Sequence, residues 1–104
     1  MIIEMRTYTL QPGAVPDYVR LYETEGMPIQ RPILGHMVGY FFTEIGALNQ
    51  IIHMWAYDDL NERARRRSEL AKQPGWADYL KKARLMIVTQ ENKILHGASF
   101  SPIK

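Results

Sequence analysis

The succession of hydrophobic periods along the chain predicts an α+β fold: a ferredoxin-like βαββαβ antiparallel sheet with helices on one face. Three observations carry that reading. A two-residue period opens the chain, a helical period replaces it after Pro12-Gly13, and a hairpin, a helical stretch and a final strand follow in turn.

Ile2 to Leu10 sets Ile3, Met5, Thr7 and Thr9 against Ile2, Glu4, Arg6, Tyr8 and Leu10, which is the alternation of a strand. Val15, Tyr18, Val19 and Tyr22 then fall on one helical stripe, with Pro16 suited to its first turn. Gly26 and Pro28 are expected to close that helix, and Pro32 to Gly35 to form a loop. Gly35 to Ile45 and Gln50 to Tyr57 are rich in β-formers, and the Gly46-Ala47-Leu48-Asn49 turn between them predicts a hairpin. Asp59, followed by Glu62, reads as a capping box opening a helix to about Lys72, which Pro74-Gly75 breaks. Trp76, Tyr79, Leu80 and Ala83 mark a second helical piece, and Leu85 to Thr89 the last main strand. Glu91 to Phe100 is less regular, an edge strand or a tail.

At 104 residues and 46% hydrophobic content, a single domain over residues 1–104 is expected. The absence of cysteine excludes disulfides and thiolate chemistry, and Glu4 and Arg6 interrupt what a secretory signal would need, so a cytoplasmic chain is expected. A formal charge of +2 builds no field for polyanions, so neither nucleic acid nor membrane is an expected partner, even with Arg63, Arg65, Arg66 and Arg67 crowded together. His36, His53 and His96 lack a paired ligand spacing, so no metal is expected. The glycines make no phosphate-cradling loop, and no cofactor is expected.

The strand alternation also sorts candidate site residues. Ile52, Met54 and Ala56 suit contact with the helices, which turns His53, Trp55 and Tyr57 outward, together with Glu4, Arg6 and Tyr8 of the first strand. An outward face of large aromatics is an interaction surface, so a homodimer is expected to cover it and to enclose a small-molecule pocket between sheet and partner. Within it, His53 is a candidate general base or a structural histidine, and Glu4 and Arg6 either orient a ligand or pair as a salt bridge. Tyr8, Trp55 and Tyr57 are pocket walls or core. Arg63 and Arg67, one helical turn apart, can together hold a carboxylate or phosphate, or form a solvated face.

Residues Glu4 to Gly13, the run His53-Met54-Trp55-Ala56-Tyr57-Asp58-Asp59-Leu60, and the following Arg63 and Arg67 resemble the NIPSNAP domain. The Pro74-Gly75-Trp76 turn and the Ser99-Phe100-Ser101-Pro102 ending extend the likeness over nearly the whole chain. The resemblance implies a subunit that pairs into a dimeric α+β barrel, and no settled reaction. The wider barrel superfamily implies two alternatives to simple ligand binding: cofactor-independent monooxygenase or isomerase chemistry, or a non-catalytic protein-interaction module.

Overall fold

Four antiparallel strands, ordered β2-β3-β1-β4, form one sheet in a computed structural model that describes residues 1–104. The strands are β1 (Ile2–Leu10), β2 (His36–Phe42), β3 (Gln50–Tyr57) and β4 (Ile87–His96). The helices are α1 (Val15–Leu21), α2 (Met27–Leu34), α3 (Leu60–Ala71) and α4 (Trp76–Arg84). They cover one face of the sheet and leave the other open. The strand order is the one a split βαβ unit produces, because each helical connection joins strands with one strand between them: β1 to β2 across β3, and β3 to β4 across β1.

The first helix does not stop at Gly26 and Pro28. It passes from α1 through a π-helical turn, Tyr22–Gly26, directly into α2, and Met27 N–H bonds Tyr22 C=O across the wide turn. The extra residue places Pro28 in the first turn of α2, where its missing N–H costs nothing. Pro32 lies inside α2 rather than in a loop, and Gly35, at φ 84°, ends the helix by donating to Arg31 C=O at 2.9 Å. Gly26 has a second duty. A Cβ there would stand 2.7 Å from ring carbons of Tyr79 and 3.0 Å from Tyr22. Gly26→Ala is expected to cost about 1–3 kcal/mol of stability in urea unfolding, through displacement of those rings.

At α3 the Asp59 side chain accepts from Glu62 N–H at 2.8 Å, as expected of a cap, while the Glu62 carboxylate accepts from Asp58 N–H rather than from Asp59. The last strand also runs further than the apolar run Leu85 to Thr89 suggests. Beyond a register shift at its start, β4 pairs with β1 as far as His96, since an edge strand needs only one row of backbone partners and tolerates polar side chains.

The two faces of the sheet are the reverse of the sequence expectation. β1 pairs with β3 in the register Glu4–Trp55, Arg6–His53 and Tyr8–Ile51, and this set lies beneath the helices. Glu4, Trp55, Tyr57 and His53 are each at most 2% exposed. Ile3, Met5, Ile52, Met54 and Ala56 occupy the open face, joined there by Phe41 of β2 and Leu95 of β4. Sorting by size and apolarity misassigned the faces because the covering helices are polar at their inner surface. Tyr18, Tyr22, Gln30 and Tyr79 are all buried on them, and α3 brings arginines to meet Glu4. A charged or hydrogen-bonding side chain goes inward when its partners are already there.

Candidate functional site

Glu4 is the node of a buried ionic network. Its Oε2 accepts from Arg63 Nη2 at 2.6 Å and Nε at 3.0 Å, from Asn92 Nδ2 at 2.6 Å and from Arg6 Nη1 at 3.2 Å. Arg67 Nη1 stands 3.8 Å from Oε1, too far for a hydrogen bond, and both atoms lack a partner. Burial by itself would raise the Glu4 carboxyl, but the bonds from Arg63 and Asn92 and the charges of Arg6 and Arg67 outweigh it and hold the group below its ordinary value. Three guanidinium groups thus surround one carboxylate, and the cluster is left with excess positive charge.

His53 stands opposite Arg6 on the neighbouring strand. Its Nδ1 accepts from Trp55 Nε1–H at 2.8 Å, which assigns the proton of the neutral ring to Nε2. Burial, and next the Arg6 charge, bring the imidazole down to about 3, so the ring is neutral at physiological pH. Nε2–H has no protein partner. The general-base role considered for His53 needs a free lone pair, and here the one lone pair is taken by Trp55. In this arrangement His53 is a hydrogen-bond donor.

Between the sheet and the helices lies a cavity of about 140 Å³. Arg6, Tyr8 and His53 form part of its floor from the sheet, with Tyr40 from β2; Tyr18, Tyr22, Arg67 and Tyr79 reach it from the helices. Tyr22 stacks on Tyr40 with ring centroids 4.3 Å apart, and Tyr40 stacks on His53 at 4.7 Å, while Tyr8 meets His53 edge-on at 5.0 Å. Tyr22 donates to the buried Gln30 Oε1 at 2.6 Å. Burial pushes the Tyr18 phenol up to about 12 and raises Tyr22, Tyr40 and Tyr79 as well, so all four stay protonated, with the Tyr22 proton already given to Gln30. Arg6, Arg67 and Arg84 line the cavity, and no carboxylate does. No three His, Asp or Glu side chains converge in a group that could hold a metal ion.

Residues 3–102 match the NIPSNAP family profile. The chain belongs to the NIPSNAP family. It is 32% identical to a NipSnap homolog of Dictyostelium discoideum over 92 residues, 88% of this chain and 40% of that protein. The chain spans less than half the length of the first curated NipSnap relatives it matches. A crystal structure of a NIPSNAP family protein of unknown function from Agrobacterium tumefaciens is 48% identical, with a TM-score of 0.96 over 100% of this chain and 94% of that one. An antibiotic biosynthesis monooxygenase shares the fold at 9% identity and a TM-score of 0.62 over 94% and 99% of the two chains. At that identity the likeness concerns the fold alone.

In this NIPSNAP chain, every site residue singled out from the sequence lies on the helix-covered side. Glu4, Arg6, Arg63 and Arg67 come together as the ionic network, and Arg6, Tyr8, His53 and Arg67 reach the cavity itself. Trp55 stands behind His53 and does not line the cavity. Tyr57 lies near Glu4 and Arg67, its phenol raised by burial and by the Glu4 charge, with its hydroxyl unpartnered. Sequence reasoning missed Tyr18, Tyr22, Tyr40, Tyr79 and Gln30. The signal was present for three of these tyrosines, since the inward stripes of α4 and of α1 with the π-turn that follows it carry phenols at helical spacing.

Proposed function

We propose that this NIPSNAP chain is a small-molecule-binding domain that takes a small anion in the helix-covered cavity and works as a homodimer. The observation that carries the first part is the cavity lining, which combines three arginines, protonated tyrosines and the His53 N–H with no carboxylate. An anion entering would meet donors on several sides and displace no negative charge. The same lining argues for binding over base-catalysed isomerisation. Proton abstraction needs an acceptor near neutral pH, whereas Glu4 is engaged by arginines outside the lining and the His53 lone pair is occupied.

A panel of acetate, benzoate and phosphate, each set against a neutral analogue, tests this by thermal unfolding. Ligand at a hundred times its Kd stabilises the native state by about 2.7 kcal/mol, on the order of 10 °C for a domain of this size. Stabilisation by at least one anion above matched ionic strength is the expected result. No stabilisation by any of them would contradict the proposal.

The homodimer is supported by the open face of the sheet. The half-buried Met5, Ile52 and Met54 form an apolar patch with Phe41, which is 53% exposed on the lone chain. A second copy offers the same surface about a two-fold axis, and burial of ~800 Å² per chain suffices for a stable interface. Sedimentation equilibrium should give a dimer at micromolar concentration and a monomer for Met54→Lys. A monomeric wild-type chain would contradict this part.

A further inference from the structure

We infer that the anion bound by this cavity is a flat aromatic monocarboxylate of about benzoate size, its carboxylate held between His53 Nε2–H and Arg67 Nη1 and its ring among the tyrosines. The inference rests on the anion-binding reading above and narrows it. His53 and Arg67 both line the cavity, and Nε2 and Nη1 are buried donors with no hydrogen bond in the protein, Nη1 standing 3.8 Å from Glu4 Oε1. A buried donor left unpaired is costly, and two of them at one cavity suit the two oxygens of a carboxylate.

Size and wall chemistry set the rest of the ligand. A cavity of about 140 Å³ is close to the ~150 Å³ that holds a benzene ring in an engineered protein interior. The stack of Tyr22, Tyr40 and His53, with adjacent planes within 19° and 23°, and the edge-on Tyr8 give a wall suited to a flat ring. Phosphate fits less well, because it offers no ring to the aromatic wall of Tyr8, Tyr22, Tyr40 and His53. Trp55 is a positioning residue here. Its N–H on Nδ1 keeps the His53 proton on Nε2, facing the ligand rather than the strand behind it.

Calorimetric titration of the full chain at pH 7 with benzoate, benzamide, cyclohexanecarboxylate and inorganic phosphate tests the inference. Benzoate is expected to bind at least ~10-fold more tightly than each of the others, the effect of one charge-assisted hydrogen bond or one well-stacked ring. Arg67→Gln, which leaves the Arg63–Glu4 bonds intact, should weaken benzoate by ~10-fold or more. Phosphate or cyclohexanecarboxylate binding as well as benzoate would overturn the aromatic assignment and leave the anion cavity standing. Failure of every anion to bind would overturn both.

Nitrogen-15 spectra of the wild-type histidines supply a test that no folding defect can confound. Nε2 of His53 should carry the proton and its signal should move on adding benzoate; a proton on Nδ1, or an unmoved signal at saturation, would remove His53 from the site. In Trp55→Phe the tautomer should redistribute toward Nδ1–H and benzoate affinity should fall. An unchanged tautomer and affinity would remove Trp55 from its positioning role.

Discussion

Glu4→Gln is expected to destabilise the fold by about 3–5 kcal/mol at neutral pH, the cost of leaving buried charges without their counter-ion. Glu4 is fully buried and accepts four hydrogen bonds on Oε2, from Arg6, Arg63 and Asn92. The amide keeps one acceptor but turns an NH₂ toward guanidinium groups, so the positive charges of Arg6, Arg63 and Arg67 repel one another with nothing between them. Urea unfolding of the two proteins at pH 7 measures the difference. The sign with pH follows from the lowered carboxyl. Because Glu4 titrates below its unfolded value, its stabilisation is complete above that value and is lost as pH falls through the folded one. Wild type and Glu4→Gln should therefore converge in stability in strong acid. A loss below 1 kcal/mol at neutral pH would mean that the network contributes little to holding α3 on the sheet.

His53 should dominate the acid response at less extreme pH. An unfolded histidine titrates near 6.5, whereas burial and the Arg6 charge hold His53 at about 3 in the folded chain. Between those values the unfolded state binds a proton that the folded state refuses. Stability therefore falls as pH drops below 6.5, by about 1.4 kcal/mol per pH unit and by ~5 kcal/mol over the whole window. Above 6.5 the contribution is constant. His53→Gln offers a carbonyl to Trp55 and has no titration of its own, so the difference between the wild-type and variant stability curves isolates the slope. Parallel curves from pH 7 to 4 would contradict the assignment of His53 as a buried neutral donor.

Much of this fold was legible in the sequence, because its local signals agree with one another. The alternation in β1 and β3, the Asp59 cap and the Pro74-Gly75 break all lie where the structure puts them. The π-turn was hidden because Gly26 and Pro28 are the ordinary marks of a helix end. Only the tertiary contact of Gly26 with Tyr79 shows why the chain continues instead. The site was legible as a set of residues but not as a place. Period two divides Glu4, Arg6 and Tyr8 from Ile3 and Met5 without saying which group faces inward. That choice depended on Arg63 and Arg67, whose helical spacing was visible while their shared partner Glu4, 59 residues from Arg63 along the chain, was not. Tyr18, Tyr22 and Tyr79 were read as apolar stripe because a phenol packs like a hydrophobe; their hydroxyls matter only once Tyr40 and His53 are seen to share the same cavity.

The location of the anion site is tested most directly by a crystal structure of the chain grown with bromide, whose anomalous scattering marks a bound anion without ambiguity. A bromide peak inside the covered cavity, within hydrogen-bond reach of His53 Nε2 and Arg67 Nη1, is the result expected. Bromide found only at the outer surface or on the open sheet face, with the cavity holding water, would contradict it.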